Sequence, residues 1–215
     1  MDGMSTSIFH KTLFSITAPH NGGKRFVRRA VQHLLGPIPH HHIKVRDLLL
    51  EIPDSIVCGP PERLEIAGRV EKKEYAPDAA VIAVVNAVLN FTDGQPIILE
   101  SLRTPEQMKA IHKMAHDGGY RVVSMYRDLP RWKILQLKDK TKHDVVTIER
   151  SFDQWKEQED QLVPAMISSS TPGWFFNLEG SGDEPDMKEG WYHTPADMAD
   201  FFREEFRRRQ LAKAA

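Results

Sequence analysis

The stretch from Ile8 to Gly36 constrains the fold more than any other part of the chain. An apolar run containing Leu13, Phe14 and Ile16 breaks at Ala18-Pro19-His20-Asn21-Gly22-Gly23-Lys24. Val27, Ala30, Val31, Leu34 and Leu35 then recur at helical spacing up to the stop signal Gly36-Pro37. The reading is a strand, a Gly-rich turn and a helix. The alternation continues downstream. His40 to Val45 reads as a short second strand, and Arg46 to Leu50 as a helix start. Pro53, Gly59, Pro60 and Pro61 then interrupt the chain, and Glu62 to Glu74 is charged, with apolar residues at Leu64, Ile66, Ala67 and Val70. From Pro77-Asp78 the pattern Ala80, Val81, Val84, Val85, Val88, Leu89 predicts a well-buried helix. Pro96 to Leu99 is an all-apolar run of the kind found in buried parallel strands. A helix over Pro105 to His116, a strand over Tyr120 to Met125, helices over Trp132 to Leu137 and Val145 to Val163, a last strand over Trp174 to Leu178 and a final amphipathic helix over Pro195 to Arg209 complete the series. Short strands separated by helices predict an α/β fold, three layers deep, built on a central parallel sheet.

The first turn carries chemistry. Glycines let backbone N–H groups converge, a helix N-terminus carries partial positive charge, and a lysine beside them reaches outer phosphates. The phosphate-binding pattern is GxxxxGK[ST], and the window here reads Ala18-Pro19-His20-Asn21-Gly22-Gly23-Lys24-Arg25. Ala18 replaces the first glycine. Arg25 stands where a hydroxyl would ligand Mg²⁺, and Phe26 rather than threonine follows. An ordinary strand-to-helix turn with an exposed lysine is the competing reading.

The order of the remaining pieces resembles the adenylate kinase and nucleoside monophosphate kinase family over most of the chain. Ala18 to Lys24 sits where that family has GPPGAGK, and His42-Ile43-Lys44-Val45-Arg46-Asp47-Leu48-Leu49 is similar to HISTGDLL. Tyr75-Ala76-Pro77-Asp78 with Val81-Ile82 looks like LVPDE..VI, and Leu99-Glu100-Ser101-Leu102-Arg103-Thr104-Pro105-Glu106-Gln107 like LDGFPRT..Q. Thr147-Ile148-Glu149-Arg150 with Gln158 and Leu162 resembles the helix after the lid. The resemblance implies one P-loop NTPase-like domain. Its core would span about 8–45, 76–137 and 145–215, with a nucleotide-monophosphate lobe at about 46–75 and a short lid at about 138–144. It implies that Ala18, Asn21, Gly22, Gly23, Lys24, Arg25 and Phe26 surround the donor phosphates of ATP, and that Arg46, Asp47, Arg103 and Gln107 bind the acceptor. Lys24, Arg103, Arg150 and Lys140 would place positive charge around the transferring phosphoryl group. Mg²⁺ would ride mainly on the nucleotide and water. The departures are specific: Leu50 stands where the family has arginine, Gln136 and Lys140 fall at lid arginines, and the second arginine of TIRKR falls near Ser151. Lys138, Lys142 and Arg150 are partial substitutes, since lysine lacks the bidentate fork of arginine. The acid that helps organise Mg²⁺ would be Glu100. Phosphoryl transfer to a nucleoside monophosphate or related small acceptor is the function implied. The alternatives are a kinase-like domain that binds nucleotide or a protein partner without turnover, and a kinase of the same fold acting on a non-nucleotide acceptor.

Composition narrows the setting. With 215 residues, the chain is long enough for one core without disulfide or metal. A formal net charge of -1 provides no footprint for nucleic acid or acidic membranes. Cys58 is the single cysteine and no apolar run approaches a membrane span, so a reducing, cytoplasmic address is expected. Oligomeric state stays open. His40-His41-His42 would point to alternate faces of a strand with no Cys or carboxylate cluster beside them, which favours a solvated or strand-entry run over a metal site. The four tryptophans read as packing residues, and Arg203, Arg207, Arg208 and Arg209, interleaved with acids, as a solvated helix face.

Overall fold

The computed structural model describes residues 8–18, 22–44, 82, 85, 94–102, 104–127, 156, 159–178 and 194–214. In chain order the elements are β1 (Thr12–Thr17), α1 (Lys24–Leu35), β2 (His41–Lys44), β3 (Ile97–Glu100), α2 (Pro105–Asp117), β4 (Arg121–Tyr126), β5 (Phe175–Asn177) and α3 (Pro195–Ala214). Residues 159–169 are also helical, so this stretch runs six residues past the expected end at Val163. Ile82 and Val85, the described members of the helix expected from Pro77, are helical too, and Val85 is fully buried.

All five strands are parallel, in the order β2-β3-β1-β4-β5. The central strand β1 is buried along its whole length, as a parallel strand covered on both faces must be. β2 is an edge strand in which Ile43 alone is buried. Side chains alternate across the sheet and divide the core in two. On one face Leu13, Leu99, Val122 and Tyr126 pack against Met108, Ile111 and Ala115 of α2, Leu162 and Met166 of the 159–169 helix, and Val85. On the other, Phe14, Ile16, Ile98, Val123 and Met125 meet Val27, Ala30, Val31 and Leu34 of α1 and Met198, Phe202 and Phe206 of α3.

That second face is aromatic. The Phe206 ring lies 4.5 Å from Trp174, 5.2 Å from Phe9 and 6.0 Å from Phe14, and Phe202 lies 5.5 Å from Phe176. The opposite face of α3 carries Arg203, Arg207 and Arg208, paired with Asp200, Glu204 and Glu205 at helical spacing, in agreement with a solvated face. Arg209, expected there too, instead turns back to the core, where it pairs with Glu205, donates to the Gly173 carbonyl and lies over the rings of Trp174 and Phe176. Trp174 is buried packing, while Trp132, Trp155 and Trp191 lie outside the described residues. No helix among the described residues is long and apolar enough to cross a membrane.

Candidate phosphate-binding site

In an open parallel sheet, ligands bind outside the carboxyl ends of the strands, where successive connections leave in opposite directions. The chain leaves β1 toward β2 on one side, and leaves β4 toward β5 on the other. The connection from β3 to β4 runs the same way as that from β4, so β1 is the strand whose connection is opposed to those of both its neighbours, and the turn after β1 is the Gly-rich segment.

Gly23 is the N-cap of α1 and adopts φ +80°, a left-handed conformation open to glycine at little cost. Its carbonyl accepts the first helical N–H groups, from Phe26 at 2.9 Å and Val27 at 3.3 Å. Lys24 folds back across the turn, and its Nζ donates to the Ala18 carbonyl at 3.0 Å. Gly22 and Ala18 are buried, Lys24 is half-buried and Arg25 is exposed. The first turn of α1 contains no acidic residue and starts with two cations. Positive side chains oppose the positive end of a helix dipole, so this arrangement favours an anion in front of the helix.

Phe26, expected beside the donor nucleotide, packs on the α1 and α3 face of the core and under a guanidinium. That guanidinium belongs to Arg127, the first residue after β4. The Arg127 backbone N–H donates to the Thr17 carbonyl at 3.0 Å, while its side-chain Nη1 reaches the Gly23 carbonyl at 3.4 Å and its Cζ lies 4.5 Å from the Phe26 ring centroid. A Cβ built on Gly23 would come within 2.6 Å of Nη1, so the guanidinium would have to shift to admit a side chain there. Burial lowers the Arg127 pKa to about 10, leaving it charged at neutral pH. The same strand end holds Thr17 Oγ1, buried and without a hydrogen-bond partner among the described residues.

Glu100 ends β3 beside Ile16 of β1 and is buried. His42 Nε2 lies 2.9 Å from its Oε1, and Arg28 Nε lies 3.4 Å from the same oxygen, an ion-pair distance without hydrogen-bond geometry. One oxygen of the carboxylate is thus held from β2 and α1. His42 is accordingly not a merely solvated histidine, although its neighbours His40 and His41 make no contact with it that would build a metal site. Ser101, next along, takes φ +81°, a strained conformation for a residue with a Cβ, and its N–H donates to the Ile16 carbonyl at 3.3 Å. Past it, the Thr104 hydroxyl caps α2 by accepting from the Gln107 N–H at 3.2 Å, and Gln107 itself is buried. Tyr126, ending β4, donates its hydroxyl to Glu159, which also pairs with Lys156 at 2.5 Å.

The structure therefore gathers Ala18, Gly22, Gly23, Lys24 and Phe26 at one strand end. Asn21, Arg46, Asp47, Arg103, Lys140 and Arg150, with the expected lobe and lid, lie outside the described residues. Arg127, Arg28 and His42 were not among the expected site residues. Their signal is topological: each meets its partner only after the strands are ordered.

No protein-family model matches this chain, and no curated protein does. Among solved structures it is similar to a shikimate kinase from Acinetobacter baumannii in complex with shikimate, at 15% identity and TM-score 0.57, over 96% of this chain and 99% of that one. It is also similar to a gluconokinase from Sinorhizobium meliloti 1021, at 9% identity and TM-score 0.50, over 93% and 98%. The five-stranded parallel sheet, its helical layers and these neighbours define a P-loop NTPase-like α/β fold.

Proposed function

We propose that this protein transfers the terminal phosphoryl group of ATP to a small acceptor, with Gly22, Gly23 and Lys24 as the donor-phosphate site. The observation that carries the reading is the start of α1: a left-handed glycine cap, no acid in the first turn, and Lys24 curled over the loop. Such transfer asks a protein for positioning and positive charge rather than for a covalent nucleophile. The backbone of Gly22 and Gly23 would hold donor phosphate oxygens, and Lys24 would exchange the Ala18 carbonyl for one of them. Mg²⁺ neutralises charge on the phosphate oxygens when bound. Arg25 and Phe26 offer it no oxygen, and Glu100 is already shared by His42 and Arg28, so the ion would keep most of its waters.

Two acceptor classes suit the reading. The motif order from His42 to Gln107 supports a nucleoside monophosphate of the adenylate kinase type, gripped by Arg103 with Arg46, Asp47 and Gln107 nearby, and with Arg150 and Lys140 closing over it. The two structural neighbours are named for acids rich in hydroxyl groups, which supports a non-nucleotide acceptor. Nucleotide binding without turnover is the second reading, favoured by the absence of a hydroxyl at Arg25 and Phe26 and by the engagement of Glu100.

A phosphotransfer assay with Mg-ATP tests this against nucleoside monophosphates, ribo and deoxyribo, and against small hydroxy acids. Turnover with one acceptor is expected, falling by about 100-fold or more in both Lys24→Ala and Arg103→Ala. Folded protein that binds Mg-ATP but turns over no acceptor would select the second reading.

A further inference from the structure

Resting on the reading of Gly22 to Lys24 as a donor-phosphate site, we propose that Arg127 is a second, fixed cation of that site and contacts the polyphosphate of the donor nucleotide. The placement comes from topology. β4 pairs with β1 through Thr17 and Tyr126, so the residue after β4 emerges beside the residue that opens the Gly-rich turn. From there the Arg127 side chain crosses the turn to Gly23 and lies flat over Phe26.

What surrounds the guanidinium is too little for a charge in that position. Its described partners are one carbonyl at 3.4 Å, already shared with two helical N–H groups, and one aromatic ring. Among the described residues no carboxylate pairs with it. Arg28, Arg203, Arg207, Arg208 and Arg209 each pair with one. Arg121, at the opposite end of β4, stacks on Trp174 and donates to the Ile8 carbonyl, far from the Gly-rich turn. A guanidinium has five N–H donors in a planar fork, and shielding it partly from water without an anion leaves most of them unused. An anion in front of α1 would meet Lys24, the helix N-terminus and the unused donors of Arg127 together. The charge would be supplied from the body of the fold, with no lid movement needed to bring it.

Calorimetric titration of the full chain with inorganic tripolyphosphate and with Mg-ATP tests the assignment, together with melting of the ligand-free proteins. Arg127→Met keeps the contact with Phe26 and removes the charge. It is expected to weaken both ligands by about ten-fold or more. It should also reduce the slope of log affinity against log salt, and leave the ligand-free melting temperature equal to or above that of the parent. Arg127→Lys should recover part of the affinity and the salt slope. Parent-like tripolyphosphate affinity in Arg127→Met would overturn the inference while leaving the donor site standing. A loss of affinity accompanied by a lower ligand-free melting temperature would also overturn it, by assigning Arg127 to the fold. If the parent itself binds neither ligand, the donor-site reading fails and the inference fails with it.

Discussion

His112 shows how far a single residue can set the conditions under which the molecule is stable. It sits in α2, fully buried, with Nδ1 2.7 Å from Ser169 Oγ. That hydroxyl donates onward to the Ala165 carbonyl at 2.6 Å, so its oxygen accepts from Nδ1–H, and the ring is the neutral Nδ1–H tautomer. Nε2 is buried with no partner among the described residues. Protonating it would place a charge and an unsatisfied donor in the core. Desolvation, with a smaller contribution from His116, accordingly pushes the pKa down to about 3. The unfolded chain keeps a value near 6.5. Between those values the unfolded state binds a proton that the native state refuses. The stabilisation is therefore complete above about pH 6.5 and is lost as pH falls toward 3, at about 1.4 kcal/mol per pH unit. Urea unfolding at pH 7 and pH 5 should show the parent losing about 2 kcal/mol more than His112→Leu between the two conditions. Equal losses in both proteins would remove His112 as the cause.

At the scale of the element, α2 illustrates how a short helix is started at a strand end. Thr104 is extended, at φ -124° and ψ 153°, and Pro105 follows at the first helical position, where its missing N–H costs nothing. The Thr104 hydroxyl takes the N–H of Gln107, one of the four donors that a helix start leaves open. Thr104→Ala should lower stability by about 1 kcal/mol in denaturant melts, and Thr104→Ser should restore most of it. The start of α1 is built on the opposite rule. Its cap is a glycine without a side-chain acceptor, and the Gly23 carbonyl takes the N–H groups of Phe26 and Val27. A helix start with a side-chain cap and one without thus follow the neighbouring strands β3 and β1.

Across the whole molecule, the face where α1 and α3 cover the sheet is joined by aromatic contacts of long sequence span. Phe206 ties together Phe9 before β1, Phe14 within it, and Trp174 beside β5, regions far apart in sequence. Phe206→Ala removes a ring that is 2% exposed and touches all three, and should cost about 3–5 kcal/mol in chemical unfolding. That is a large fraction of the roughly 5–15 kcal/mol that holds a domain of this kind together. A loss below about 1 kcal/mol would mean that α3 is not part of the cooperative unit.

Local pattern alone determined the strand-turn-helix start, the parallel sheet, the apolar strands around Leu13, Ile97 and Val122, and the amphipathic last helix. These depend on periodicity and turn chemistry within a dozen residues, which a sequence displays directly. The place of Lys24 at the start of α1 was legible for the same reason, since glycine and lysine at a strand-to-helix turn are a local signal. The weak edge strand at His41–Lys44 was harder, because only Ile43 is buried, and the 159–169 helix outran its apolar pattern into Ser168 and Ser169. Arg127 carries no local mark at all: an arginine after a strand reads as solvent-facing until β4 is set against β1. The sharing of Glu100 by His42 and Arg28 likewise joins β2, β3 and α1 across 72 residues of sequence. Only the tertiary structure decided these. Which charge meets which is set by strand order and register, and strand order is fixed by the packing of the whole core, not by any short stretch of it.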